Sequence, residues 1–214
     1  MGSTIGRKVV MAVTGLALFG FVFVHMLGNL QMFLADHEAI NHYGRFLREM
    51  LHGGGIWAVR AVLLIAVIAH IGAAWSLTRT SWKARPIPYK MVTPNASTYA
   101  SRTMRWSGPI LALFIVYHLL HFTVGTVHPA FVDGDVYRNV IVGFSVWPVS
   151  LFYVIAMLAL GLHLRHGAWS MLQTLGASHP RWDGVRNVAA IAFTVIIVLG
   201  FISVPLAVLA GVLK

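Results

Sequence analysis

The chain has 214 residues, of which 58% are hydrophobic and only 10% are charged, and its formal net charge is +10. A chain so apolar cannot bury its hydrophobic surface in one soluble core of this length, which indicates a lipid environment. The absence of cysteine excludes thiolate iron–sulfur sites, zinc fingers and thioether-attached haem within this chain. Any metal chemistry must therefore use histidine.

Five apolar segments are each long enough to cross the roughly 30 Å hydrocarbon layer as a helix. They run at about 9–34, 57–78, 106–127, 147–173 and 188–212. The first segment follows Arg7 and Lys8 much as a signal peptide would, but it is too long for a signal h-region and lacks a convincing small-x-small cleavage site. We therefore expect an all-α integral membrane protein of five spans, forming a single domain over 1–214.

The basic residues are unevenly distributed between the two sides that five spans define. Eleven of the sixteen basic residues fall on the side of the membrane that carries the N-terminus: Arg7, Lys8, Arg79, Lys83, Arg85, Lys90, Arg102, Arg105, Arg165, Arg181 and Arg186. Only Asp183 among the six acidic residues lies with them. The positive-inside rule then predicts a cytoplasmic N-terminus and an external C-terminus. Short basic segments between apolar runs also lack the basic stripe of a nucleic-acid-binding protein.

Two connecting segments have recognisable patterns. The outer segment 35–56 carries apolar residues at helical spacing, which predicts an amphipathic helix on the outer surface, with Gly53 to Gly55 turning the chain back into the membrane. The inner segment 81–105 contains Pro86, Pro88 and Pro94 among basic and aromatic residues. It is interpreted either as an irregular platform for a cytoplasmic protein or as a solvated basic loop.

Histidine is the unusual residue of the predicted spans, because ionisable side chains at such depth are rare and usually functional. The first four spans each carry at least one, and the fifth carries none. Six lie within the spans or at their ends: His25, His70, His118, His121, His163 and His166. This distribution favours metal ligands over isolated packing histidines.

Depth in the membrane pairs these histidines, because a bis-histidine haem needs two ligands at similar height on different helices. At 1.5 Å per residue, His70 lies roughly 13 Å above Arg79, and His163 roughly 15 Å above Gln173. His25 lies roughly 24 Å above Lys8, and His118 roughly 18 Å above Trp106. The first two match as an inner pair, and the second two form an outer pair.

Spacing alone leaves some of these assignments open. His118 and His121, like His163 and His166, are three residues apart and point to broadly similar faces. Depth slightly favours His121 as the partner of His25. Arg165 and His166 are alternatively expected near the interface, where they would hold a haem propionate.

Glycines lie close to several of these histidines and favour close approach of a helix or a porphyrin, or plain helix packing. They are Gly15, Gly20, Gly28, Gly72, Gly161 and Gly167.

The sequence resembles the single-chain, di-haem cytochrome b anchor of type B succinate dehydrogenases and fumarate reductases over essentially its whole length. The resemblance rests on the five-span plan and on the order and spacing of several motifs. These are Val-His25-Met-Leu-Gly-Asn29-Leu-Gln31, Ile-Ala-His70-Ile-Gly, Ser101-Arg102-Thr103-Met104-Arg105-Trp106-Ser-Gly, Tyr117-His118-Leu-Leu-His121-Phe-Thr and His163-Leu-Arg165-His166-Gly167-Ala-Trp169-Ser.

The resemblance implies two b haems, with His70 and His163 as axial ligands of the inner one and His25 and His118 of the outer one. It places His121 and His166 beside the haems and not on the iron. It also implies two partners on the cytoplasmic face, a flavoprotein subunit with covalent FAD and an iron–sulfur subunit. The expected function is electron transfer between the iron–sulfur subunit and a membrane quinone, with menaquinone expected for the di-haem class, in a bacterial cytoplasmic membrane.

The quinone leaves a weak mark, since it needs only an apolar slot with one or two donors. Outer-face candidates are Gln31, His42, Tyr43 and Arg45, and inner-face candidates are Ser81, Trp82, Arg102 and Trp106. Two other functions remain open. One is the cytochrome b anchor of another quinone-linked dehydrogenase or hydrogenase, and the other is a transporter whose histidines relay protons without haem.

Overall fold

The computed structural model describes residues 3–84 and 99–214, with side chains from residue 103 onward in the second range. Within these residues seven α-helices follow one another: α1 Thr4–Asn29, α2 Ala39–Glu49, α3 Gly54–Ala84, α4 Tyr99–His118, α5 Val136–Ser145, α6 Trp147–Thr174 and α7 Asp183–Leu209. Two 3₁₀ turns, Leu30–Phe33 and Pro180–Trp182, and a π-helical segment, Leu119–Val124, extend or precede them. The expectation of an all-α fold is confirmed.

Five helical stretches are long and apolar enough to cross a membrane: Thr4–Phe33, Gly54–Ala84, Thr103–Val124, Trp147–Thr174 and Pro180–Leu209. They correspond to the five predicted spans, although most begin several residues earlier. Hydropathy marks where the apolar stretch begins, whereas a helix begins at its cap. The Ser3 hydroxyl, for example, accepts a hydrogen bond of 3.1 Å from the Gly6 amide, so α1 begins at Thr4.

The surface of the bundle is apolar. In the most hydrophobic window of each span, only 11–33% of the residues are buried inside the protein. Val62, Leu113 and Leu199 expose 59%, 72% and 62% of their surface, respectively. Side chains of this kind are stable when lipid covers them, which makes the chain a multi-pass membrane protein.

The five long helices do not all pack against one another. The α1 helix packs against α3, α6 and α7, whereas α4 packs mainly against α6. Met26 of α1, Leu164 of α6 and Ile197 of α7 form a buried cluster where those three helices meet. Within the described residues, neither α1 with α4 nor α3 with α6 forms a closely packed pair. In each of these two pairs, a gap therefore separates the two helix backbones.

The termini lie on opposite sides of the bundle. The Arg7 guanidinium donates hydrogen bonds of 2.8 and 3.0 Å to Ser76 and Thr80, which places the start of α1 beside the end of α3. We call this the N-terminal side. On the other side, the Tyr137 hydroxyl donates to the Lys214 carbonyl oxygen at 3.2 Å.

The side opposite the N-terminus is covered by α2 and α5, joined through one buried asparagine. The Asn41 side chain is 5% exposed. Its Oδ1 accepts from the Tyr137 amide at 2.9 Å, and its Nδ2 donates to Asp135 and Glu38 at 3.3 Å. The amphipathic helix expected in 35–56 is therefore present as α2, whereas α5 was not predicted.

The turn before α3 differs in detail from the predicted glycine turn. Leu51, His52 and Gly53 all have left-handed φ angles, of 53°, 54° and 85°, and Gly54 and Gly55 already belong to α3. A Cβ atom on Gly55 would lie 2.9 Å from the Met50 carbonyl oxygen. Gly55 thus allows the close approach of the two helices, while two non-glycine residues share the reversal with Gly53.

The predicted inner platform at 81–105 falls largely outside the described residues. This applies to Arg85, Pro86, Pro88, Lys90 and Pro94, and the side chain of Arg102 is also outside them.

Candidate functional site

Two pairs of histidine rings bridge the two gaps in the bundle. His70 of α3 and His163 of α6 have ring centroids 6.2 Å apart, with an angle of 58° between the ring planes. His25 of α1 and His118 of α4 have centroids 5.8 Å apart at 79°. Each pair thus joins two helices whose backbones are not closely packed.

These separations fit one metal ion between each pair of rings. A metal–imidazole bond is about 2 Å long, and the ring centroid lies about 1 Å behind the bonding nitrogen, so two rings on opposite sides of one iron have centroids about 6 Å apart. Within the described residues, no cluster of three or more His, Asp or Glu side chains could hold a metal. The arrangement fits haem, whose porphyrin supplies the other iron ligands.

The two pairs are separated by the same distance along two different helices. Thr14 of α1 contacts His70, and Ser107 of α4 contacts His163. His25 follows Thr14 by eleven positions, and His118 follows Ser107 by eleven. Eleven residues of α-helix span roughly 16 Å. The His70–His163 pair therefore lies toward the N-terminal side, and the His25–His118 pair lies farther from that side by about half of the hydrocarbon thickness.

The height comparison slightly favoured His121 as the partner of His25, whereas the ring that faces His25 in the structure is that of His118. The two reference residues, Lys8 and Trp106, are not at one level. Thr14 and Ser107 lie at one level, since each contacts a ring of the His70–His163 pair. Thr14 lies six positions after Lys8, whereas Ser107 lies one position after Trp106. The resulting offset of roughly 7 Å accounts for the difference.

Hydroxyl groups contact one ring nitrogen of three of the four histidines. The Nδ1 atom of His70 lies 3.2 Å from Thr14 Oγ1, that of His163 lies 3.4 Å from Ser107 Oγ, and that of His118 lies 3.4 Å from the Tyr153 hydroxyl. Within the described residues, Nε2 of these three rings has no hydrogen-bond partner. Metal-bound histidines use one nitrogen for the metal and the other for such a partner, so the pattern fits ligation through Nε2.

The surroundings of the two pairs differ. The rings of Phe21 and Phe201 lie 5.3 and 5.8 Å from that of His25, and the ring of Phe114 lies 5.8 Å from that of His118. Near His70, by contrast, Gly15 leaves room, since a Cβ atom there would meet the ring at 3.4 Å. The His25–His118 pair thus lies among aromatic rings, whereas hydroxyl groups and a glycine lie next to the His70–His163 pair.

His121 belongs to a buried polar cluster next to His118. Its side chain is 0% exposed, and its Nδ1 lies 3.1 Å from the Tyr153 hydroxyl, which also contacts His118. Its Nε2 is buried without a hydrogen-bond partner in the described structure. The ring of His128 lies 4.9 Å away, with its own Nε2 donating to the Asn139 carbonyl at 2.9 Å.

The other residues expected beside the histidines are split between two faces of α6. His166 is half-buried on the same helix as His163. Arg165 instead lines a groove of about 370 Å³ between α6 and α7, together with Gly161 and Thr194. Two positions along a helix rotate a side chain by about 200°, so Arg165 points away from the face that carries His163.

The glycines near the histidines have mixed environments. Cβ atoms on Gly28 and Gly161 would meet Tyr43 at 2.9 Å and Val198 at 2.8 Å, so these two glycines serve helix packing. Cβ atoms on Gly20, Gly72 and Gly167 would meet nothing within 4 Å.

The quinone candidates are not gathered into one pocket. On the side opposite the N-terminus, Gln31 is half-buried, Tyr43 packs on Gly28, and His42 and Arg45 are exposed. On the N-terminal side, Trp82 and Trp106 expose 49% and 75% of their surface, and Ser81 is also exposed. The Arg105 guanidinium lies 6.0 Å from the centre of the Trp82 ring.

Sequence reasoning missed Thr14, Ser107 and Tyr153. One signal was available for the first two: each is a hydroxyl residue eleven positions before a membrane histidine, on two different spans. Tyr153 has no such signal, since aromatic residues are common in membrane helices.

Comparison with protein families gives one match. The model of the succinate dehydrogenase/fumarate reductase transmembrane subunit matches residues 83–202. The match covers more than half of the chain and includes His118, His121, His163 and His166, whereas His25 and His70 lie before it. No curated protein and no solved structure matched the chain in the corresponding searches. With its five spans and the family match, the chain belongs to the family of succinate dehydrogenase/fumarate reductase transmembrane subunits.

Proposed function

We propose that this chain is the di-haem cytochrome b anchor of a succinate:quinone oxidoreductase, and that it carries electrons between an iron–sulfur subunit and a membrane quinone. The observation that carries the proposal is the pair of histidine bridges across two gaps in the bundle. Centroid separations of 6.2 and 5.8 Å fit bis-histidine iron, and each bridge joins helices that are otherwise not closely packed.

The proposed axial ligands are His70 and His163 for one haem and His25 and His118 for the other. When bound, the haems supply one-electron redox chemistry. The protein holds each ring through a hydrogen bond at its second nitrogen or through stacking on phenylalanine, which fixes the ligand direction. It also excludes water from the His25–His118 site with the rings of Phe21, Phe114 and Phe201.

Two-electron succinate chemistry must be coupled to a quinone that takes up electrons and protons in separate steps. Two one-electron centres roughly 16 Å apart along the bundle axis provide a path across about half of the hydrocarbon layer. Succinate chemistry itself belongs to a partner, because this chain has neither cysteine for iron–sulfur clusters nor a soluble domain in its described part.

The proposed partners are an FAD-containing flavoprotein subunit and an iron–sulfur subunit, docked on the N-terminal side. The excess of basic residues on that side supports a cytoplasmic orientation in a bacterial inner membrane. His70 and His163 would then serve the haem nearer the iron–sulfur subunit, and His25 and His118 the haem nearer the outer face.

The proposed quinone is menaquinone, on the basis of the di-haem class that the sequence resembles. Candidate residues for its binding lie on both sides of the bundle. On the N-terminal side, the neighbouring Trp82 and Arg105 offer an aromatic surface with a cationic donor. On the other side, Gln31 offers a half-buried amide beside α2.

A reduced-minus-oxidised spectrum combined with a pyridine haemochrome assay on the purified complex tests the proposal. Two b haems per chain with low-spin bis-histidine spectra are expected. One haem per chain, a high-spin ferric spectrum, or no haem at all would contradict it. The last result would favour a transporter whose histidines relay protons.

A further inference from the structure

We propose that Thr14 is a positioning residue for the His70–His163 site: its hydroxyl accepts a hydrogen bond from His70 Nδ1–H and thereby leaves Nε2 free as the ligand atom. This inference rests on the proposed function, because it concerns a residue acting through a haem ligand. It names a residue on α1 that controls a ligand on α3.

The direction of the hydrogen bond follows from counting hydrogens. A threonine hydroxyl has one hydrogen to donate. Thr14 Oγ1 lies 2.7 Å from the Val10 carbonyl oxygen and 3.3 Å from that of Met11, and carbonyl oxygens only accept. The short contact to Val10 therefore takes the hydrogen, and the oxygen lone pairs are left to face His70 Nδ1 at 3.2 Å.

The consequence for His70 is a fixed tautomer. An Nδ1–H that donates toward α1 leaves the lone pair on Nε2, which is the atom that can bind iron. Ring orientation is set at the same time, because α1 packs closely against α3. The ring also lies close to the α1 backbone, since a Cβ atom on the adjacent Gly15 would lie 3.4 Å from His70 Cε1.

The same contact is expected to affect the midpoint potential of an iron bound by His70. A hydrogen-bond acceptor on the second nitrogen makes the imidazole a stronger electron donor, which stabilises the oxidised iron and lowers its midpoint potential. His25 has no ring hydrogen bond within the described structure. The effect of Thr14 is therefore confined to the His70–His163 site.

Thr14→Val tests the inference, because valine keeps the shape of threonine and removes the acceptor. In the assembled complex, one haem should titrate at a more positive potential than in the wild type, and it should be the haem that His70→Leu removes. The second haem should be unchanged. Thr14→Ser keeps the hydroxyl and should restore the wild-type potential.

Thr194→Val is the matched control. Thr194 is 8% exposed on α7, and its hydroxyl has no hydrogen-bond partner in the described structure. This variant should leave both potentials unchanged. If Thr14→Val accumulates poorly, Thr14→Ala removes the same acceptor and takes its place.

Three results would overturn the inference: unchanged potentials in the variant without the hydroxyl, an equal shift in Thr14→Ser, or a shift in the haem that depends on His25. Failure of the proposed function looks different. It would appear as the absence of haem from the wild-type complex in the pyridine haemochrome assay, before any variant is measured.

Discussion

The imidazole rings of His25 and His118 lie 5.8 Å apart across α1 and α4, two helices that are not closely packed against each other. His70 and His163 repeat this relationship between α3 and α6 at 6.2 Å. The four histidine-bearing helices are connected through α6, which packs against both α1 and α4, and through α1, which packs against α3.

Each histidine pair should hold its own haem. His70→Leu and His25→Leu are each expected to lower the haem content from two per chain to one, because the remaining ring cannot complete a bis-histidine site. Haem per chain, measured by pyridine haemochrome on the purified complex, checks this. The haem retained in His25→Leu should still be reduced by succinate. Loss of succinate-reducible haem in His25→Leu, with its retention in His70→Leu, would contradict the proposal that the His70–His163 haem is the one nearer the iron–sulfur subunit.

Tyr153→Phe should alter only the haem held by His25 and His118. The substitution removes the hydroxyl that lies 3.4 Å from His118 Nδ1 and 3.1 Å from His121 Nδ1, and the phenyl ring keeps the packing. Two haems should remain, with a shifted potential for the one that depends on His25. Redox titration monitored in the α-band measures the shift.

His121→Ala should also retain two haems, since the ring that faces His25 is that of His118, and His121 shares the Tyr153 hydroxyl with it. The variant should be less stable, because it leaves a cavity at a side chain that is 0% exposed. Loss of a haem from His121→Ala, with none lost from His118→Ala, would assign the ligand to His121. His166→Ala should likewise retain both haems.

Gly161→Ala should destabilise the contact between α6 and α7. The added Cβ atom would lie 2.8 Å from Val198 Cγ2, and overpacking of this kind costs about 1–3 kcal/mol. Gly167→Ala is the matched control on the same helix, since its Cβ atom would meet nothing within 4 Å. Thermal unfolding of the two variants in detergent should rank Gly161→Ala below Gly167→Ala. An equal response would mean that packing at Gly161 is unimportant.

Asn41→Ala should loosen the cover formed by α2 and α5. It leaves the Tyr137 amide without its acceptor, and an unsatisfied buried donor costs about 1–3 kcal/mol. Hydrogen exchange should accelerate in α2 and α5 while α1 and α6 stay protected. The neighbouring His42 is exposed, so His42→Ala should leave exchange unchanged. Faster exchange throughout the bundle would contradict a local role for Asn41.

The orientation can be tested cleanly because the chain has no cysteine of its own. Asp133 and Arg181 are exposed on opposite sides of the bundle. With the N-terminal side cytoplasmic, a membrane-impermeant maleimide added to intact cells should label Asp133→Cys. It should label Arg181→Cys only after the membrane is opened with detergent. The reverse pattern would contradict the positive-inside assignment.

The sequence by itself determined the features that depend on local composition and on rise per residue. Five apolar stretches fixed the number of spans, and the histidine positions limited the ligand candidates to the first four. Heights along the helices also placed His70 level with His163, and the rings of these two residues lie 6.2 Å apart in the structure. The ends of the spans were less accurate, since Ser3 and other caps act outside the apolar stretch.

Only the tertiary structure decided which side chains meet between helices. It placed His118 opposite His25, with His121 packed against His128, and it brought Thr14 to His70 and Ser107 to His163. It also joined α2 to the unpredicted α5 through Asn41. Such contacts depend on the relative offset and rotation of neighbouring helices. These are set by packing across the whole bundle, so a local pattern such as the eleven-residue spacing in α1 and α4 does not by itself show which side chains meet.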